Sequence, residues 1–467
     1  SRSARSVQKP METSRSSSDP DPISVNLMRP ICTYKLCFSC EKLSYSGVNL
    51  GRKRTFKLCE YPYRMLNQMR ELRGYPGFYS LAASRFISNV GNGISPIALA
   101  YGVLSLPGAT GKDLSIVMAA RFVPLLIFML FGGVIADRFQ RNRLVGSSDM
   151  IGSFVAGVSA VSLIAGFSST WLLAIMGGIF GILNAIWWPA MSGVLPEIVP
   201  KEKLQQGNAV VGLLTNIGYI VGTLGGGIIV STIGAGWGLL ADAISFFIAG
   251  VIVWLLPITG RAKDKSPGML HDLKVGWREF ISRSWVIAMV FTFALINMAF
   301  DSMLSVLGPL NFNDPKTGPQ HWSYNLAGLS IGMLIGGIWI LKVKIERPLF
   351  LAMILIALSS IWDFTLAFDS PLIVSILAAV FSGISLEVFM VTWNTSLQHH
   401  VPEESFSRVS SYDTLGSFGI APLGIVMAGP LAMHFGINSI LMVTGLTTLI
   451  AATASLFVSS VRNLKND

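Results

Sequence analysis

Charge is scarce in this sequence. Asp, Glu, Lys and Arg make up 13% of its 467 residues, against roughly 25% in soluble domains, which excludes an ordinary water-soluble globule. None of the four occurs from Met150 to Pro196, from Ala209 to Ala241 or from Thr414 to Val461. Each gap exceeds the ~20 residues of one membrane-spanning helix, and the first and last leave room for a helical hairpin with a tiny loop. The gaps are continuously apolar, which excludes the ~10-residue alternating strands of a membrane β-barrel. Cysteine is scarcer still. Cys32, Cys37, Cys40 and Cys59 all precede residue 75, so no disulfide supports the hydrophobic remainder. Their spacing lacks the paired knuckles of a zinc finger, and no metal is expected. His271, His321, His399, His400 and His434 fall in loops or at span ends, and none joins buried acids in a metal-ligand set. "GATGKD" at 108–113 lacks the first glycine of a phosphate loop and has Asp113 where Ser or Thr belongs. Neither an enzyme nor a cofactor is expected.

The net charge of +10 is unevenly placed. Residues 1–74 hold 14 Lys+Arg against 6 Asp+Glu, and the rest hold 21 against 19. A nearly neutral apolar body excludes a nucleic-acid-binding surface along most of the chain. Residues 1–74 read as a basic, disordered or non-native extension. Ser and Arg enrichment raises a transit-peptide reading, but six acids and no clean amphipathic stretch oppose it. Met65 and Met69 stand just before the first apolar run, where a bacterial chain of this kind begins.

Apolar runs divide the body into twelve spans, near 77–106, 113–136, 143–166, 170–194, 207–231 and 237–257, then 285–308, 325–342, 348–368, 371–397, 409–432 and 438–458. Assigning the loops alternately to two sides places Lys112 and Lys316 on one side and seventeen Lys and Arg, from Arg138 to Lys465, on the other. The positive-inside rule then puts both termini in the cytoplasm. Residues 75–257 form one six-helix bundle and 285–467 a second. The linker, 258–284, contains "MLHDLKVGWREFISRS", which reads as an amphipathic helix or a plain connection. At an offset of 202 the halves match at Gly181/Gly383, Gly222/Gly424, Gly227/Gly429 and Gly234/Gly436, as duplicated halves would.

The 6+6 layout with a basic Asp-Arg loop after the second span resembles the major facilitator superfamily, especially its bacterial drug, macrolide and siderophore exporter branch, over Gly77 to Val461. The family's loop signature, G-x-x-x-D-R-x-G-R-R, is met by Gly133, Asp137, Arg138, Arg141 and Arg143. Gln140 replaces its glycine and Asn142 one basic residue. "LPEIVPKEKLQQGNAVVG" and "LQHHVPEESFSRVSSYDTLGS" resemble that branch's paired inner loops. The antiporter signature of the fifth span appears as Gly222, Thr223, Leu224, Gly225, Gly226 and Gly227, with Thr223 in place of proline. An arginine usual in the fourth span of proton-coupled exporters is missing. The resemblance implies an all-α integral membrane protein, twelve transmembrane helices in two pseudo-symmetric bundles.

It also implies that the first, fourth, seventh and tenth helices line a central cavity. Each has a polar stripe at helical spacing. The substrate-cavity candidates are Arg85, Asn89, Asn92, Asn184, Trp187, Trp188, Asn297 and Asn394. A charge at the bilayer centre costs about 2.5–3.5 kcal/mol on insertion scales, so Glu387 and Asp301 become the proton-coupling candidates, with a structural ion pair as the alternative. Glu387 lies about 24 Å into its span at 1.5 Å per residue and can take and release a proton as access alternates. Arg85 and Arg121 also suit structural or gating roles. Asp149 and Asp242, read as near helix ends, and Asp363, on a helix outside the lining, are expected to be structural. In the gating loop, Asp137 with Arg138 and Arg141 is expected to latch against Arg408 and Asp413.

With no ATPase motif, energy comes from a gradient. One charge crossing 100 mV supplies about 2.3 kcal/mol, roughly a fiftyfold concentration ratio. The sequence therefore reads as a monomeric, multi-pass plasma-membrane transporter, exchanging protons for amphiphilic drug-like or siderophore-like organic molecules, with the lipid bilayer as its surroundings and no nucleic-acid partner. Two alternatives stand beside it: a uniporter or importer of a small metabolite, favoured by Asn92 and Thr223, and a non-transporting membrane sensor or assembly protein on a transporter fold.

Overall fold

The computed structural model describes residues 72–258, 277–343 and 345–464; of Asp137 and Arg408 it describes the backbone alone. The basic extension and most of the linker therefore lie outside the described residues. Twelve long helical segments follow in order. The first six are α1 (Phe78–Leu104), α2 (Gly111–Arg138), α3 (Arg141–Ile164), α4 (Thr170–Ser192), α5 (Leu204–Ile233) and α6 (Ala235–Trp254). The second six are α7 (Ser284–Asn311), α8 (Gly318–Ile340), α9 (Pro348–Ala367), α10 (Leu372–His400), α11 (Glu403–Phe418, resumed as Ala421–Phe435) and α12 (Ile437–Leu456). The helices from α3 to α12 are long and apolar enough to cross a membrane. α1 and α2 match them in length, at 27 and 28 residues, and their mid-helix polar residues Ser84, Ser88, Asn89 and Ser95 of α1 are buried.

Local breaks have local causes. Pro422 opens the second part of α11, since it has no N–H to give the preceding turn. In α1, Pro96 has no N–H for the carbonyl of Asn92, which frees a backbone acceptor at mid-membrane depth. α7 passes through a π-helical turn at Met303–Leu307, a local underwinding often found at functional sites. "GATGKD" starts α2: the backbone N–H and hydroxyl of Thr110 both donate to Asp113 Oδ2, at 2.9 and 2.8 Å, a helix cap.

The halves repeat one another down to their glycines. Gly234 and Gly436 cap α5 and α11 at φ 102° and 86°, with ψ 161° and 146°, a region essentially closed to residues with a Cβ. A Cβ at Gly181 would strike the α2 carbonyl of Arg121, and one at Gly383 the α8 carbonyl of Leu329. A Cβ at Gly222 would strike the carbonyl of Val90, and one at Gly424 that of Met298 at 2.5 Å. The struck residues are themselves 208 apart. So α4 on α2 repeats as α10 on α8, and α5 on α1 as α11 on α7.

The same pairs join the halves. α5 meets α8 where Gly227 faces Ser323 and the Pro319 carbonyl, and α11 meets α2 where Gly429 faces Ser115 and the Gly111 carbonyl. Three hydrogen bonds cross here among the described residues: Tyr101 OH to the Phe312 carbonyl at 2.8 Å, Gln320 Nε2 to Ser231 Oγ at 2.8 Å, and Gly429 N–H to Ser115 Oγ at 2.9 Å. All lie at the helix ends that bear Lys112 and Lys316. There Asp314 pins the turn after Phe312 by accepting from the N–H groups of Lys316 and Thr317, which hold its carboxyl below the usual carboxylate range.

The hydrophobic cores follow the same division. One core spans both halves at the cation-poor end, through Tyr101, Leu114, Val306, Trp322 and Ala428. At the basic end each half has its own, around Phe78, Trp187 and Val253 in the first and Trp285, Phe389 and Val461 in the second. Among the described residues, the hydrophobic cores thus join the halves at one end and stay separate at the other.

Candidate functional site

A cavity of about 260 Å³ lies within the first half. α1 supplies Arg85, Asn89 and Asn92; α4 supplies Phe180, Leu183, Asn184, Trp187 and Trp188. The seven-residue spacing from Arg85 to Asn92 sets both on one helix face. Arg85 lies over the Trp187 ring, with Cζ 4.6 Å from its centroid. Trp188 meets Trp187 edge-on at 5.6 Å. Asn89 and Asn184 donate to the carbonyls of Arg85 and Phe180, one turn back, at 2.8 and 3.0 Å. Six expected residues are brought together here, from two expected helices.

The cavity also contains what the sequence reading set aside. Asp149, with Ser148 and Gly152, lines it from α3, and Thr215, Tyr219 and Phe246 line it from α5 and α6. Asp149 does not stand at a helix end. It is eight residues into the 24-residue α3, and Gly250 of α6 lets the helices close on its Cβ. The expected helix-end placement is corrected because the third helix begins at Arg141, two residues earlier than the apolar run; the family pattern, with its four lining helices, leaves α3 out.

Past Phe180, toward the cation-poor end, lies a second space of about 30 Å³, lined by Ser95, Arg121, Ser159, Phe180 and Asp242 among others. Asp242 is likewise no end residue: it stands seven residues into the 20-residue α6 and is 1% exposed. Arg121 lies over the Phe180 ring at 4.6 Å, opposite Phe246, which meets that ring edge-on at 5.6 Å.

In the second half the expected residues lie apart. Asn297 donates to the Ser417 carbonyl at 2.9 Å and so ties α7 to α11. Asn394 is exposed and donates to the Met390 carbonyl on its own helix. Glu387 packs against Gly336 and Gly337 of α8. Asp301 precedes the π-helical turn, and its Oδ2 has no hydrogen-bond partner. Neither acid lines the two spaces of the first half. Asp363 accepts from Thr444 Oγ1 at 2.8 Å, as a structural acid should.

At the basic end, Arg141 binds the α4–α5 connection: Nη1 is 3.2 Å from the Gly193 carbonyl and 3.4 Å from Glu197 Oε1. Arg143 lies over Trp254 at 4.5 Å. Asn142, where the family signature has a basic residue, donates to the Leu256 carbonyl at 3.0 Å and so closes the end of α6. Asp413 accepts from Trp393 Nε1 at 2.9 Å and Ser417 Oγ at 3.2 Å, within its own half. The side chains of Asp137 and Arg408 lie outside the described residues.

Residues 81–422 match the Major Facilitator Superfamily. The multidrug efflux pump Tap of Mycolicibacterium fortuitum is 26% identical over 81% of this chain and 94% of its own length. The enterobactin exporter EntS of Escherichia coli O81 (strain ED1a) is 24% identical over 78% of this chain and 90% of its own. The crystal structure of the nucleoside transporter NupG superimposes with a TM-score of 0.66 at 14% identity, over 81% of this chain and 98% of that one. A likeness at that identity concerns the fold.

Proposed function

Since the chain belongs to the major facilitator superfamily, a family of multi-pass membrane transporters, we propose that it exports amphiphilic drug-like or siderophore-like organic molecules from the cytoplasm in exchange for protons. The observation that carries this reading is the division of the cores. A shared core at the cation-poor end and separate cores at the basic end are what alternating access requires of one end state. The positive-inside rule makes the basic end cytoplasmic, with both termini on that side of the plasma membrane, so this state receives cargo from within.

The cavity chemistry agrees. Trp187, Trp188 and Phe180 offer ring faces, and Asn92, Asn184 and Thr215 offer adaptable hydrogen bonds, the mixture of a loosely selective site. Two of the relatives bear the names of a multidrug efflux pump and a siderophore exporter, which supports export over import. Protons are the second partner, taken by Glu387 and Asp301, and the working unit is a monomer. The same reading gives Asp137, Arg138 and Arg141 a latching role toward Arg408 and Asp413 when the basic end closes.

Everted vesicles energised by respiration test the reading. Ethidium or another lipophilic probe should be accumulated with a measurable outflow of protons, and Glu387→Gln should abolish the proton flux. Equal probe accumulation with no proton movement in the wild type contradicts coupling.

A further inference from the structure

We propose that Asp242 is a proton-binding residue of the first half, set apart from the cargo cavity, with Arg121 as its exchangeable counter-charge. The proposal rests on the proton-exchange reading above and places part of the coupling where neither Glu387 nor Asp301 lies.

Asp242 is enclosed at mid-helix, and neither carboxyl oxygen has a hydrogen-bond partner. Its Oδ1 and the Ser245 hydroxyl together fill the place that a Cβ on Gly91 of α1 would take, so the carboxyl packs against a stretch of α1 that offers no side chain. A buried carboxylate without donors has a desolvation penalty that distant charge does not offset. As the acid, the same group occupies the site without that penalty.

The second half shows what a merely structural acid looks like at this place. Thr444 occupies the register 202 residues after Asp242, and its hydroxyl satisfies Asp363 across the α9–α12 contact at 2.8 Å. Asp242 receives no such bond. The polar and titratable groups around it are few. Ser95 faces it from α1 and Ser159 from α3, Arg121 comes from α2, Tyr219 stands near Arg121 on α5, and Ser245, beside it on α6, gives its hydroxyl to the Asp242 main-chain carbonyl at 2.7 Å. Across Phe180, in the cargo cavity, lie Arg85 and Asp149.

Arg121 makes no ion pair with Asp242 in this state; it lies on the face of Phe180. A small movement of α2 against α6 brings the guanidinium to the carboxyl. The O–H bond then breaks, the proton passes to water, and the carboxylate left behind is neutralised by Arg121. The space of about 30 Å³ around Asp242 has room for a water molecule or two. Phe180 lines this space and the cargo cavity alike, so its ring is the partition the proton crosses.

The test is acid-minus-alkaline infrared difference spectroscopy on the purified full chain in lipid, paired with ethidium transport in proteoliposomes. The wild type should show protonated-carboxyl absorption with one component that Asp242→Asn removes and Glu387→Gln leaves in place. In transport, Asp242→Asn should reduce the ethidium concentration ratio driven by a pH gradient, about tenfold per pH unit for one-to-one exchange with this monovalent cation, to about one, while downhill ethidium exchange continues. If Asp242→Asn fails to insert, Asp242→Thr, which copies Thr444, serves in its place. An unchanged band in either variant overturns the proposal even if transport is proton-driven. A wild type that moves no protons while the band behaves as stated overturns the coupling reading and leaves Asp242 as a buried acid only.

Discussion

Arg85 brings a full positive charge into a span that could have been wholly apolar, and its surroundings show how that is tolerated. The ring of Trp187 lies 4.6 Å from its guanidinium, a contact contributing about 0.5–2 kcal/mol, and Asp149 shares the same cavity. The stripe Arg85, Asn89 and Asn92 was legible because helical spacing sets it on one face, and the tryptophan pair because it stands one turn from Asn184. Asp149 and Asp242 were misread, since a carboxylate's place in a helix depends on a boundary the sequence leaves uncertain by a turn. The donors that distinguish Asp363 from Asp242 are on a different helix, so no local pattern separates the two. In the latch region, Asp137→Ala should slow transport severalfold while leaving insertion unchanged. Ethidium efflux beside surface-independent quantification of the protein checks this, and wild-type rates would remove the latch.

Within elements, glycine does the work that side chains do in soluble bundles. Without a hydrophobic force between helices in lipid, close approach of backbones supplies the contact, and Gly222 and Gly226 let α5 lie on Val90 and Ile94 of α1. Three glycines of the antiporter-like signature thereby divide between two tasks, because Gly227 looks instead toward α8 and the other half. Gly222→Leu should force α1 from α5 and destabilise the fold by about 1–3 kcal/mol, as overpacking does. Gly225→Leu is the control, because nothing lies within 4 Å of a Cβ there. Thermal unfolding in detergent should show a lower midpoint for the first and none for the second; equal midpoints would mean the contact is not tight. The repeat was visible in the sequence as four scattered glycine identities, yet its meaning was not. Only the partner carbonyls, offset by 208 instead of 202, show that the matching glycines mark equivalent helix crossings.

As a whole molecule the chain has two halves joined at one end, and the closure is built from two equivalent contacts, α5 with α8 and α11 with α2. Span number and basic-end asymmetry were readable from charge alone, because lipid punishes charge wherever it is not needed. Which end is closed was not readable, since it depends on side chains hundreds of residues apart, such as Tyr101 and Phe312. The absence of cysteine from the membrane body makes that closure directly testable. On a background with Cys32, Cys37, Cys40 and Cys59 changed to serine, Tyr101→Cys and Phe312→Cys should be joined by a short bifunctional methanethiosulfonate reagent, which spans the gap that the Tyr101 side chain fills with its hydroxyl 2.8 Å from the Phe312 carbonyl and that a direct disulfide is too short to bridge. Ethidium efflux by the doubly substituted transporter should then stop and return on reduction, because the cation-poor end must open in every cycle. Full transport through a completely cross-linked protein would contradict alternating access.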